Sequence, residues 1–182
     1  MQYGGGIVLA IDPATRTGVA SGRPGTTPLL TTIDLAREFD DYEDIFGRAI
    51  TWFSGKLDDG PPELVIIEGL VPAKNHANAV TAIGLHAIFA GLARARKVPV
   101  RFAPVSSWRK YFLGVGKMEG ARAKAECVRL CRQLGWDPPD HNAAEAAGIW
   151  LFGCSLLAPA VTQRHEPLLR GCSTFPLRGG AE

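Results

Sequence analysis

The sequence has no uninterrupted run of 18 or more apolar residues, so it lacks the plain signature of a transmembrane helix. Its first residues carry no basic stretch leading into an apolar one and then a cleavage site, and the expectation is a soluble, cytoplasmic protein. Cysteine is scarce. Cys127, Cys131, Cys154 and Cys172 form no CxxC pair, and Cys127 and Cys131, one helical turn apart, read as core-facing reduced thiols rather than metal ligands. There is no P-loop, no Ser-His-Asp arrangement, no internal repeat, and no low-complexity stretch before the C-terminal tail. Hydrolysis through a covalent triad and phosphate capture by a glycine-rich loop therefore have no candidate residues.

A chain of 182 residues, 46% of them hydrophobic, can bury one core. We expect a single domain over 1–158 and a loosely ordered tail over 159–182, which is rich in Gly, Pro and Arg. The net charge of +2 hides an uneven distribution. Between Arg94 and Arg132 stand eleven Lys or Arg against only Glu119 and Glu126, whereas 38–59 holds Asp40, Asp41, Glu43, Asp44, Asp58 and Asp59. A basic face opposite an acidic back suits a polyanionic ligand, although a solvated helix face also explains part of the pattern.

The run from Gly6 to Asp12, apolar until its last residue, reads as a central strand covered on both faces. Short runs at 17–22 and 28–35, separated by turn residues, fit antiparallel neighbours. Over 40–57 the apolar residues recur every three or four positions, as in an amphipathic helix capped by Asp40 or Asp41. Glu63 to Glu68 is a second apolar strand ending on a carboxylate, and the helix before it permits a parallel crossover back beside the first strand. Asp12 and Glu68 would then emerge together at strand C-termini, where α/β sheets bind ligands. Two adjacent carboxylates repel, which calls for a cation or a raised pKa.

A helix over 77–96 follows, with a thin face around Gly84 that another helix or a partner chain could approach; His76 and His86 read as structural. The stretch 98–105 reads as a strand near the sheet edge. In 106–117, Trp108, Tyr111 and Phe112 either pack a short helix or form a stacking and phosphate-contact surface. A helix over 119–134 turns Arg122 and Lys124 outward. The last helix, opened by Asp140, His141 and Asn142, carries Ala143, Ala144, Ala146, Ala147 and Gly148, a face small enough to lie flat on the sheet. Glu145 is its lone ionisable group between His141 and Arg164. Asp140 is either an N-cap or a further ligand.

Taken together, Ile-Asp12-Pro with Thr17-Gly18, Val-Ile-Ile-Glu68, Ala73-Lys-Asn75, the segment from Gly114-Val-Gly-Lys117 to Lys124, and Ala143-Ala-Glu145-Ala resemble the RuvC-type Holliday junction resolvases of the ribonuclease H-like superfamily. The resemblance spans about 6–157. It implies an α/β fold with a five-stranded mixed sheet in 3-2-1-4-5 order and helices on both faces. It also implies a homodimeric endonuclease, with no membrane association, acting on four-way or branched DNA. Carboxylates matching Asp12, Glu68 and Glu145 would hold divalent metal, as two Mg²⁺ that Mn²⁺ can replace. The fourth ligand stays open among Asp140, His141 and Asn142. Lys124 falls near a family lysine at the cleaved phosphate, and Lys74, Arg109, Lys110, Lys117, Arg122 and Lys124 are the candidate DNA contacts. This chain departs from the family in having Asn142 three residues before Glu145, Glu rather than Asp at 145, and Gly69-Leu-Val71 where an aromatic wedge is usual. An RNA-directed nuclease of the same superfamily and a non-catalytic DNA-binding module are the alternatives.

Overall fold

A computed structural model describes residues 5–71 and 75–162. The strands are β1 (Val8–Asp12), β2 (Arg16–Gly22), β3 (Leu29–Asp34), β4 (Leu64–Glu68) and β5 (Val100–Ala103). The helices are α1 (Tyr42–Asp58), α2 (His76–Ala95), α3 (Val105–Leu113), α4 (Gly120–Gln133), α5 (His141–Leu157) and the short α6 (Pro159–Thr162). One sheet runs β3-β2-β1-β4-β5, the order the family resemblance implies. The two tight connections make β1–β2 and β2–β3 antiparallel, while α1 and α2 act as crossovers that leave β1–β4 and β4–β5 parallel.

Side chains alternate across a strand, so each strand feeds two cores. Leu9, Ile11, Val65 and Ile67 face α1 and α2 and pack with Phe53, Leu85 and Phe89. Val8, Ala10 and Ile66 face the other way, into a core with Trp108, Phe112, Cys127 and Trp150 from α3, α4 and α5. Ala10 pairs with Ile66 in the parallel register, so the next residues of that parity, Asp12 and Glu68, leave the sheet side by side on the α5 face.

The helix α5 is buried from Asn142 through Leu151, and its small residues are what permit this. A Cβ on Gly18 of β2 would lie 2.1 Å from the Asn142 carbonyl oxygen, and one on Gly148 would lie 2.7 Å from Phe112 and 2.9 Å from Trp108. The thin face of α2 is taken up within the chain, since a Cβ on Gly84 would strike the Phe46 ring of α1 at 2.2 Å. Among the described residues, α2 alone is long and apolar enough to cross a membrane, yet its Leu85, Phe89 and Ala93 belong to the second core. The edge strand β5 is shorter than the expected 98–105: Lys97 adopts a left-handed φ of 59° in the turn before it, and Pro104 caps the start of α3. Cys127, Cys131 and Cys154 are free, buried thiols, as expected of core positions. Lys74, Cys172 and the tail beyond 162 lie outside the described residues.

Candidate active site

The carboxyls of Asp12 and Glu68 meet within hydrogen-bonding reach at the ends of β1 and β4. Glu145, from the second turn of α5, lies behind them and is only 5% exposed. Each of the three is less acidic than an ordinary carboxylate. For Asp12, desolvation is the first cause, followed by repulsion from Glu68 and Glu145. Desolvation also raises Glu68, opposed by its bond from Trp108 and by Arg109. Glu145 is raised by desolvation and by Glu68 and drawn back by Arg109, Lys124 and His141. Three neighbouring acids pushed in one direction are what a site for a positive ligand requires.

Two consecutive residues of α3 reach into this group. The Trp108 indole Nε1 donates to Glu68 Oε1 at 3.0 Å, and Arg109 Nη2 donates to Glu145 Oε1 at 3.2 Å. The Arg109 guanidinium lies 5.3 Å from the Trp108 ring centroid, and its buried Nε has no hydrogen-bond partner among the described residues. Behind the site, His86 ties α2 to β4: its Nε2 lies 2.7 Å from the Glu68 carbonyl and its Nδ1 2.7 Å from that of Ala82. At the mouth, Lys124 Nζ sits 3.1 Å from His141 Nε2.

Several predicted residues thus converge, and others turn elsewhere. Lys124 reaches the carboxylates electrostatically from α4, lowering both Asp12 and Glu145. Arg109, expected on the DNA surface, is instead directed inward as the counter-ion of Glu145. Lys110, Lys117 and Arg122 are exposed on α3, α4 and the turn between them. Asp140 is fully engaged as a cap. Its Oδ1 accepts from Ala143 N at 3.0 Å and Thr32 Oγ1 at 2.7 Å, and its Oδ2 from Arg16 Nη2 at 3.1 Å. These donors hold its carboxyl below the usual range despite partial burial. Asn142 is 9% exposed beneath the first turn of α5, against β2.

The donor set consists of hard carboxylate oxygens, which suit Mg²⁺ or Mn²⁺ far better than soft metals. Among the described residues no three His, Cys, Asp or Glu side chains converge to single-ion distance as they stand. Trp108 and Arg109 each hold one oxygen of the cluster. Asp12, Glu68 and Glu145 are the residues that would hold the cation, with a buried guanidinium now supplying part of the positive charge.

The capping role of Asp140 predicts a small effect of substitution. Asp140→Asn keeps the Oδ1 contacts and weakens the exposed pair with Arg16, an interaction of about 0–1 kcal/mol. Urea denaturation should show a loss of that size, and any cleavage activity should stay within a few-fold of wild type. A collapse of activity with the fold intact would return Asp140 to the ligand set.

No protein-family model and no curated protein matches the sequence. Solved structures do match. Thermus thermophilus RuvC aligns with a TM-score of 0.64 at 19% identity, covering 88% of this chain and 96% of that one. The same protein in complex with Holliday junction substrate aligns at 0.65 and 18%, with the same coverage. This is the RuvC fold. A more distant RuvC-like structure, the yeast mitochondrial Holliday junction resolvase Ydc2, aligns at 0.61 and 12% identity over 91% of this chain and 83% of its own. The ribonuclease H-like sheet order and the two-sided helix layers expected from sequence are therefore present in full. Three supports of the carboxylate cluster were not legible as such: Trp108, His86, and the Thr32–Arg16 pair beneath Asp140. An indole among cations was the one available signal, and it reads equally well as core.

Proposed function

We propose that this protein is a divalent-metal-dependent endodeoxyribonuclease that resolves four-way DNA junctions by phosphodiester hydrolysis. The observation that carries the reading is the meeting of Asp12, Glu68 and Glu145, all with raised carboxyl pKa values, at the C-terminal ends of β1 and β4 beneath α5. A RuvC neighbour of the same fold has been solved with Holliday junction substrate, which supports the choice of DNA.

Bound to these carboxylates, Mg²⁺ would supply Lewis acidity at the phosphate and lower the pKa of an attacking water. The chain's own residues do the rest. The Lys124 ammonium, exposed beside His141, would pair with a phosphate oxygen. Lys110, Lys117 and Arg122 extend the positive surface along the backbone of an incoming duplex arm. Asp140 fixes the first turn of α5, and with it the position of Glu145. The decisive assay offers four-way junction, duplex and single-stranded DNA to the purified protein with Mg²⁺ or with chelator. Paired nicks in the junction alone, lost on chelation, are expected; no metal-dependent cutting of any substrate would refute the proposal.

Cutting two strands of a junction calls for two sites, and α2 provides a surface for a second copy of the chain. Its outward Ile83 is 57% exposed between the accessible Ala79 and Ala87, an apolar stripe on a helix whose other side is packed against α1 and the sheet. Ile83→Glu should convert a dimer to a monomer in analytical ultracentrifugation at micromolar concentration. An unchanged dimer would exclude this face.

A further inference from the structure

The geometry points to Trp108 as a positioning residue that presents Glu68 to the metal, a role resting on the nuclease reading above. Trp108 is 0% exposed, yet its one polar atom is directed out of the core into the carboxylate cluster, 3.0 Å from Glu68 Oε1. A buried indole N–H needs an acceptor, and many are met by a backbone carbonyl. Trp150, in the same core, does this, donating to the Gly22 carbonyl at 3.3 Å. Trp108 instead uses a carboxylate of the acid cluster, the one that meets Asp12.

The placement is enforced from three sides. The lack of a side chain at Gly148 lets the Trp108 ring lie against α5, since a Cβ there would come within 2.9 Å of it. The Arg109 guanidinium lies near the ring while holding Glu145. His86 holds the backbone of Glu68 through its carbonyl, so the indole fixes the one part of that residue still able to rotate. With Oε1 held by the indole, the Glu68 carboxylate faces a cation in one orientation. Removing a partner that orients a metal ligand typically costs 10–100-fold in metal affinity or activity.

Trp108→Phe keeps the ring packing and deletes the donor. Trp150→Phe, the same change away from the site, measures the general cost of replacing a buried tryptophan. Mn²⁺ binding to DNA-free protein, followed by the loss of free-ion signal in electron paramagnetic resonance, should weaken by about 10-fold in Trp108→Phe and stay at the wild-type value in Trp150→Phe. Equal Mn²⁺ affinity in wild type and Trp108→Phe would overturn the inference. Failure of the wild type itself to bind Mn²⁺ would instead refute the nuclease reading. A second measurement leaves the indole in place: of the four tryptophan indole N–H resonances, one should move upfield in Glu68→Gln, and that one should be missing from the Trp108→Phe spectrum. If Trp108→Phe does not fold, the resonance that moves is assigned to Trp108 by its proximity to Phe112 and Gly148 protons, and no movement of any resonance would overturn the inference.

Discussion

Asp12→Asn, Glu68→Gln and Glu145→Gln should each abolish metal-dependent strand cleavage while leaving a folded protein that still binds DNA. Each substitution removes one charge and almost no volume, so packing around α5 is retained. The loss should exceed about 100-fold, the upper range for removing a group that merely supports a metal ligand. A second readout runs in the opposite direction. Asp12 and Glu68 meet at two strand ends, and Glu145 adds a third acid close enough to repel Asp12. Neutralising any one of them relieves repulsion, so the metal-free variants should unfold at higher urea than wild type. Glu145→Gln should gain least, because it also leaves the Arg109 guanidinium buried without its partner. Variants that keep near-native rates would remove these residues from the chemistry.

The stability of the metal-free protein should fall as pH rises from about 5 to 8, and saturating Mg²⁺ should flatten that slope. The direction follows from the sign of the shifts. Asp12, Glu68 and Glu145 bind their protons more tightly when folded than when unfolded. Their contribution is fully present below the unfolded carboxylate values and is lost as pH climbs through the raised ones. Asp140 behaves in the opposite sense. Its lowered pKa contributes stability above the unfolded value, which disappears only as pH falls through the folded one. Above pH 5 the three site acids therefore set the slope, at about 1.4 kcal/mol for each unit by which a pKa is shifted. Denaturant titrations across that range, with and without Mg²⁺, measure it directly. Metal-free stability that is flat or rises with pH would contradict the electrostatics of the site.

The residues readable from sequence and those that were not differ in the range of the interaction that places them. Asp12 and Glu68 were legible because strand periodicity is local: an apolar run ending on an acid announces both the element and the end that bears the charge. Glu145 was legible because no other charge competes on its helix. The direction of Arg109 was not, since exposed and inward guanidiniums have the same sequence context, and only the packing of α3 against α5 decides between them. Asp140 shows the same limit. Its capping bond to Ala143 is local, whereas the contacts with Thr32 and Arg16 come from residues 108 and 124 positions away. The role of Gly84 was open for that reason too, because the ring it accommodates, Phe46, belongs to a different helix.

The parallel pairing of Val8 with Leu64 also bears on when during folding the protein becomes competent. The β1–β2–β3 meander is built from short-range contacts and can form early. The partners β1 and β4 are separated by most of that meander and by α1, so their ladder closes a long loop, a slow step set by chain entropy. Slipping that ladder by one residue would turn Glu68 to the opposite face and expose half the core at the same time. Refolding from denaturant should therefore restore most helical signal before any cutting activity. The last kinetic phase to appear would be the one that brings two distant strands into register.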